Sequence, residues 1–572
     1  MSTSSSELAT PRTLVDALLA APAERRFVTV WNGEDDESSV SFGEFREQAR
    51  RLAAQFHAAG LGRGDTVVLI LPQGIPLMAA FAGAMLLGAI PAILAYPNFK
   101  AEPVKYRSGL AGVSANLRAR LIVLDEQFPD ALLQHVDLGA GARTLRCSTA
   151  AGPPPATLAE RAEPEAVAFI QHSAGTTGLQ KGVALTHAAV LRQLDHLAAA
   201  LCVTPADRIY SWLPLYHDMG LIACFMLPLA YHLPVVMQSP TDWVLQPGTM
   251  LELISRQRCT LAWVPNFTLQ FLARRVRAED RAGFELSCLR ALINCSEPVR
   301  ARSMDEFLAA YPAQGLRPEV LQSSYAMAEN VFAVTQSGIG RAPAPLRVTL
   351  DARRLREEHR AVPLRPAAPD ALVFVSSGAV LPGNEVRIVD AQGATLPPGA
   401  VGEIAIRSDS LFTGYYNRPD LTARSLRAGW YHSGDLGFLL EDELFVIGRQ
   451  RDLIIVAGKN IYPQDVEEIC YAHPRVHDGR AIALGLHNPE LGTEDIVVVA
   501  EVEQEADLAD AAAIERALRN AIVAELGVAA RAVYLKPPRW IVKSTAGKPA
   551  RSTTRDKLLA EHPELALYRT EY

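Results

Sequence analysis

Apolar positions recur along this chain with two periods. From Phe42 to Ala58 they fall three or four residues apart, the spacing of a helix with one buried face. Thr66-Val-Val-Leu-Ile-Leu71 and Arg120-Leu-Ile-Val-Leu124 are short continuous apolar runs, which suit buried strands. Helical and strand patterns alternate over the first 160 residues, which predicts an α/β fold with at least partly parallel sheets. Ile75 to Tyr96 is a stretch of 22 positions without a charged residue, long enough to cross a bilayer. Pro76, Gly88 and Pro91 divide it into an alanine-rich helix and a short Ala-Ile-Leu-Ala strand, so it reads as core and no transmembrane segment is expected.

Beyond Arg449 the texture changes. Leu453-Ile-Ile-Val456, Ala481-Ile-Ala-Leu-Gly485 and Ile496-Val-Val-Val-Ala-Glu-Val502 read as strands, and Ile514, Leu518, Ile522 and Leu526 form one helical stripe stopped by Gly527. This tail has the size of a small α/β domain. Gly152-Pro-Pro-Pro-Ala156 reads as a connector. Arg341 to Asp370, rich in proline, alanine and arginine, is expected to be an irregular insertion.

Composition adds exclusions. With 572 residues, 49% hydrophobic and 21% charged, the chain reads as a soluble globular protein with a large core. Its 56 basic and 63 acidic residues leave a net charge of −7 with no dense basic run, which argues against a nucleic-acid or anionic-membrane binder. Seven scattered cysteines without a CxxC pair fit neither a disulfide framework nor a zinc site and imply a cytoplasmic setting. The N-terminus lacks the basic and apolar blocks of a signal peptide.

The richest chemistry lies in Gln171-His172-Ser173-Ala174-Gly175-Thr176-Thr177-Gly178-Leu179-Gln180-Lys181-Gly182-Val183. Between a strand over Ala166–Ile170 and a helix expected to begin within Ala184–Leu191, this reads as a phosphate-gripping loop. Its glycines let N–H groups close around phosphate oxygens, its threonines bond phosphate or magnesium, and Lys181 adds a point charge. A Walker A loop needs glycine directly before the lysine, and Gln180 excludes it.

Five further blocks follow in order: Trp212-Leu-Pro-Leu-Tyr-His-Asp-Met-Gly220, Asn294-Cys-Ser-Glu-Pro-Val-Arg300, Ser324-Tyr-Ala-Met-Ala-Glu329, Tyr431-His-Ser-Gly-Asp435 with Gly448-Arg-Gln-Arg-Asp452, and Lys543-Ser-Thr-Ala-Gly-Lys548. Taken singly, His217 is an ordinary histidine, Tyr325 a core aromatic, and Glu329, Asp435 and Arg449 surface charges. Their joint order resembles the adenylate-forming superfamily of acyl-CoA synthetases, adenylation domains and luciferases, over nearly the whole chain. The first and second of these blocks, with Ile461-Tyr-Pro-Gln-Asp-Val-Glu467, look most like its fatty acyl-AMP ligases, which carry an insertion where residues 341–370 lie.

The resemblance implies a large multi-subdomain N-terminal adenylation domain over 1–448, a hinge at 449–452 pivoting on Arg451, and a small mobile C-terminal domain over 453–572. It also implies that a fatty acid attacks the α-phosphorus of ATP. Ser173, Gly175, Thr176, Thr177, Gly178 and Lys181 would cradle the β- and γ-phosphates, and Thr177 and Glu329 would hold Mg²⁺. Glu297, Pro298 and Tyr325 would frame adenine, Ala326 and Met327 would belong to the same cofactor site, Asp435 would accept from the ribose hydroxyls, and Arg449 would contact the nucleotide. His217 would stand at the carboxylate end of an acid pocket walled in part by Trp263-Val-Pro-Asn-Phe267, and Lys548 would bridge carboxylate and α-phosphate. Lys548, His217, Glu329 and Lys181 are thus the expected catalytic groups.

The chain departs from the family pattern at Ala174, Gln180 and Ala326, where serine, proline and glycine are common; Ala326 adds a methyl group beside the acyl pocket. The expected reaction is acid activation followed by transfer to the phosphopantetheine thiol of an acyl carrier protein or carrier domain. The alternative acceptor is CoA.

Overall fold

The computed structural model describes residues 11–33, 36–97, 103–134, 143–147, 162–172, 181–338, 345–365, 371–456, 459–488, 493–543 and 549–568. The first sheet follows the parallel pattern expected from the apolar runs. Thr66–Ile70 lies between Ile90–Ile93 and Leu121–Leu124, with Arg143–Arg146 beyond, all parallel. The uncharged stretch is core: helix Ile75–Leu86 buries eleven of its twelve residues before the Ile90–Ile93 strand. It packs closely on helix Phe42–Ala58, where a Cβ on Gly83 would stand 2.6 Å from the Ala49 carbonyl oxygen. No described helix is long and apolar enough to cross a membrane.

On its other side this sheet runs Ile90–Ile93, Val167–His172, Gly182–Thr186 and Gly414–Tyr415. The helix expected to begin within Ala184–Leu191 starts only at His187, because Gly182–Thr186 is a strand antiparallel to Val167–His172. All five of its residues are buried, which leaves no polar face for a helix. Thr186 then caps the helix His187–Ala200 by accepting from the Ala189 N–H at 3.1 Å. The phosphate loop therefore joins two antiparallel strands.

A second, longer sheet has a parallel run, Ala291–Asn294, Leu261–Val264, Ile209–Ser211, Val235–Gln238 and Arg26–Gly33. Through Leu321–Ala326 it continues into antiparallel strands that include Ala333–Gln336, Glu443–Arg449, Trp430–Leu440 and Gly402–Ser408. The segment expected to be irregular is only partly so. Arg347–Asp351 pairs antiparallel with Ala371–Val375, and Ala352–Glu357 is a helix capped by Asp351. Leu350 and Leu355 supply the reason, since both are buried against Phe438, Phe445, Ile447 and Tyr462.

The smaller C-terminal domain has its own core. Strands Val476–Asn488, Thr493–Val502 and Ala530–Lys536 form a mixed sheet covered by helices Pro463–Tyr471, Ala511–Leu526 and Arg551–Glu561. Ile514, Leu518, Ile522 and Leu526 are its buried stripe, and Gly527 ends that helix at φ 64.

Helix Met219–Met226 is wound as a π-helix, with the Leu227 N–H bonded to the Ile222 carbonyl five residues back. A Cβ on Gly220 would stand 2.3 Å from the Pro214 carbonyl oxygen, so only glycine lets this helix return over its lead-in. Gly220→Ala is expected to cost roughly 1–3 kcal/mol, read as a lowered urea midpoint, whereas an unchanged midpoint would contradict the close approach.

His187 is 3% exposed and its Nδ1 accepts from the Leu14 N–H at 3.3 Å. Burial lowers its pKa from 6.5 to about 4, partly offset by Asp16. The unfolded chain therefore binds the proton first, and stability is lost as pH falls from 6.5 toward 4. The urea midpoint should drop across that window, and the drop should be shallower in His187→Gln.

Candidate active site

Residues 173–180 and 544–548 lie outside the described residues, so Ser173, Gly175, Thr176, Thr177, Gly178 and Lys548 are not placed. Their flanks are. Lys181 leaves the phosphate loop half-buried, its ammonium 4.7 Å from the centre of the Tyr415 ring. Burial and the cations of Arg451, Arg449 and Arg418 lower its pKa, with Glu329 acting in the opposite sense. At the other flank, Lys543 bridges Pro549 and the Ala550 N–H donates to the Val542 carbonyl at 2.8 Å. Arg551, just beyond, pairs with Glu467 and lies 3.6 Å from Asp452 in the expected hinge.

Glu329 sits in the single 3₁₀ turn Ala328–Asn330, after strand Leu321–Ala326, and is 8% exposed. The Tyr415 hydroxyl donates to its Oε1 at 2.7 Å and stands 3.3 Å from the Tyr431 hydroxyl. Val331 closes the turn at φ 61, ψ −55, a strained conformation for a β-branched residue. Backbone bonds from the Met327 N–H to the Phe332 carbonyl and from the Phe412 N–H to the Glu329 carbonyl, both 2.9 Å, hold it there.

Tyr325 is buried, and its hydroxyl donates to Asp435 Oδ2 at 2.6 Å. Burial and the neighbouring carboxylate push this phenol well above its usual range, so it remains protonated and a donor. Asp435 and Arg449 are cross-strand partners, and Arg449 Nε lies 3.4 Å from Asp435 Oδ1. Ala326, half-buried, ends the Tyr325 strand opposite Ala333. Lys181, Glu329 and Tyr431 are thus gathered around Tyr415, while Tyr325, Asp435 and Arg449 form a second contact group, with Tyr431 and Asp435 on the same strand.

Glu297 and His217 belong to a neighbouring wall. Glu297 Oε2 accepts from the Phe267 N–H at 3.0 Å, while Pro298 is exposed. Ser296, at φ 73, turns this loop, and its hydroxyl reaches the Met219 sulfur at 3.9 Å. Phe267 meets Trp212 and Trp243 edge-on, and those two indoles stack 3.8 Å apart. Trp263 is 1% exposed and belongs to the sheet core, so Phe267 is the residue of that stretch on the aromatic wall. His217 Nδ1 is 2.6 Å from Asp218 Oδ1, and Gln171 ties the preceding residue in place by donating to the Tyr216 carbonyl at 2.8 Å.

Among the described residues no group of three His, Cys, Asp or Glu side chains could hold a metal by itself. A single buried carboxylate, Glu329, suits Mg²⁺ whose remaining positions come from phosphate and water oxygens. Tyr415 escaped the sequence reading. Its only signal there was Gly414-Tyr415-Tyr416-Asn417-Arg418-Pro419, a short strand ending in a turn.

The family model described as AMP-binding enzyme matches residues 17–416. The medium-chain-fatty-acid–[acyl-carrier-protein] ligase JamA of Moorena producens is 30% identical over 94% of this chain and 93% of its own. A long-chain-fatty-acid–AMP ligase of Mycolicibacterium smegmatis is 28% identical over 90% of this chain and 88% of its own. A solved structure from a study of fatty acyl-adenylate ligases of E. coli and L. pneumophila superposes with a TM-score of 0.89 at 28% identity, covering 98% of this chain and 99% of its own. A match running from the first helix through the Gly414–Tyr415 strand, with relatives aligned over nearly their whole length, makes this chain a member of the AMP-binding enzyme family.

Proposed function

We propose that this ligase activates a fatty acid as its acyl-adenylate and passes the acyl group to the phosphopantetheine thiol of an acyl carrier protein. The observation that carries this reading is a pair of contact groups, Lys181–Tyr415–Glu329 and Tyr325–Asp435–Arg449, bridged along one strand by Tyr431 and Asp435. It aligns a phosphate-seeking cation, a carboxylate fit for magnesium and an acceptor for a vicinal diol, in the order that phosphate and ribose follow along ATP. The names of the Moorena and Mycolicibacterium relatives supply the acid and the carrier.

In the first step a carboxylate oxygen bonds to the α-phosphorus as the bond to the bridging oxygen breaks and pyrophosphate departs. Two anions must approach, and charge flows onto the leaving group. Lys181 and the N–H groups of 173–180 would hold the β- and γ-phosphates, and Lys548 would bridge the carboxylate and α-phosphate. Mg²⁺ on Glu329 and Thr177 would neutralise phosphate oxygens. Asp435 accepts from Tyr325, which fixes the carboxylate for the ribose hydroxyls, and Arg449 balances its charge. Glu297, Pro298, Ala326 and Met327 would border adenine, with the Tyr325 ring as a flat surface. Phe267 and its tryptophan neighbours would line the acid site with His217 at its polar end.

The second step is thiol attack on the acyl carbonyl, expelling AMP. We take 1–448 as the adenylation domain, 449–452 as the pivot and 453–572 as the moving domain, which would withdraw Lys548 and present another face. The Arg347–Asp351 strand and its helix pack on Tyr462, just past that pivot, and His359 meets Asn460 at 3.1 Å. Such an anchor would limit how far the moving domain travels, and we read a restricted swing as suited to a protein-borne thiol that brings its own docking surface rather than to free CoA. The free cysteines among the described residues suit a reducing cytoplasm.

Incubation with ATP, Mg²⁺ and medium- and long-chain fatty acids, with and without CoA, should yield acyl-AMP in amounts CoA does not change, as read by mass spectrometry. Conversion to acyl-CoA would make the protein a CoA synthetase. Lys548→Ala should lower pyrophosphate release by at least roughly a hundredfold, given the worth of a preorganised charge at developing anions, while ATP binding is largely kept. An active Lys548→Ala protein would remove that residue from the reaction.

A further inference from the structure

We propose that Tyr415 is a positioning residue for the nucleotide, setting the Glu329 carboxylate with its hydroxyl and the Lys181 ammonium with its ring. This rests on the adenylation reading above and adds to it a residue that would act through Glu329 and Lys181. The Tyr415 hydroxyl donates to Glu329 Oε1 at 2.7 Å and so fixes the orientation of the carboxylate that would hold Mg²⁺. The same ring carries Lys181 Nζ at 4.7 Å from its centre. One rigid side chain thereby spaces the two groups that would grip opposite sides of a phosphate.

The backbone around Tyr415 supports this. The Tyr416 N–H donates to the Gly182 carbonyl at 2.7 Å, the Thr413 N–H to the Ala184 carbonyl at 3.0 Å and the Phe412 N–H to the Glu329 carbonyl at 2.9 Å. The stretch 412–416 is therefore bonded on one side to the strand leaving the phosphate loop and on the other to the Glu329 turn. The Tyr415 N–H is itself held by Thr422 Oγ1 at 2.9 Å. Phe412 meets the Tyr415 ring edge-on at 4.9 Å, leaving the ring little freedom to turn away. Tyr431, 3.3 Å from the Tyr415 hydroxyl, lies four residues before Asp435 on one strand and extends the arrangement toward the ribose site.

Two substitutions separate the two tasks. Tyr415→Phe keeps the ring and removes the hydroxyl; Tyr415→Leu removes both. Binding of α,β-methylene-ATP is measured by calorimetry at graded Mg²⁺ and with EDTA, alongside thermal melts. The Mg²⁺ concentration for half-maximal tightening should rise about tenfold in Tyr415→Phe, the worth of one hydrogen bond to a charged group, with metal-free affinity kept. Metal-free affinity should fall in Tyr415→Leu, and adding Glu329→Gln to Tyr415→Phe should weaken Mg²⁺ dependence by less than the two single effects combined. An unchanged Mg²⁺ midpoint in Tyr415→Phe, or equal weakening with and without metal, would overturn the proposal. The readout is independent of the acid and acceptor: wild type that binds the Mg²⁺-nucleotide but makes no acyl-AMP would sink the functional reading and leave this test standing.

Discussion

The arrangement depends on one short stretch of chain, Phe412 to Tyr416, which joins the phosphate-loop strand to the Glu329 turn of the second sheet. Backbone bonds tie it to the strand leaving the phosphate loop and to the turn bearing Glu329. Its Tyr415 side chain fills the remaining gap with a buried hydroxyl and a ring. A buried carboxylate and a half-buried lysine would each be costly alone. Between them the tyrosine satisfies one oxygen of the acid and faces the cation with a π surface, so the pair stays apart and poised for a third, anionic group.

The same economy runs through the ribose side of the site. Asp435 lies in a hairpin directly across from Arg449, and Tyr325 reaches it from a different strand of the same sheet. A hydrogen bond from Tyr325 and an ion pair with Arg449 thus hold the carboxylate before any substrate arrives. Two turns at the site carry strain: Ser296 and Val331 take positive φ values near Glu297 and Glu329. Val331 is held there by backbone bonds on both sides of its turn.

Contacts between the large domain and the C-terminal residues concentrate near Tyr462 and along one charged edge. Leu350, Leu355 and Ala361 share a hydrophobic cluster with Tyr462, while Arg274 meets Asp478 at 2.7 Å and Arg300 pairs with Glu468. The apolar part is short-range and shape-dependent, and the ion pairs are partly exposed and screened by salt. The Arg347–Ala361 stretch would therefore contribute more to holding the domains together than the charges around it.

Sequence alone determined the parts whose signal is local. The helices over Phe42–Ala58 and Ala511–Leu526, the parallel strands and the core role of Ile75–Tyr96 follow from the spacing of apolar residues, because each buries its own face. The order of motif blocks was likewise enough to name the chemistry. Gly182–Thr186 defeated that reading, since a uniformly apolar run has no period and only its pairing with Val167–His172 makes it a strand. Arg347–Asp351 was hidden among prolines and arginines until Ala371–Val375 and a buried cluster gave it a partner. Tyr415 carried no chemistry in the sequence. Its role is a matter of what lies within hydrogen-bonding distance of one hydroxyl, 86 residues away in Glu329, and only tertiary folding decides that distance.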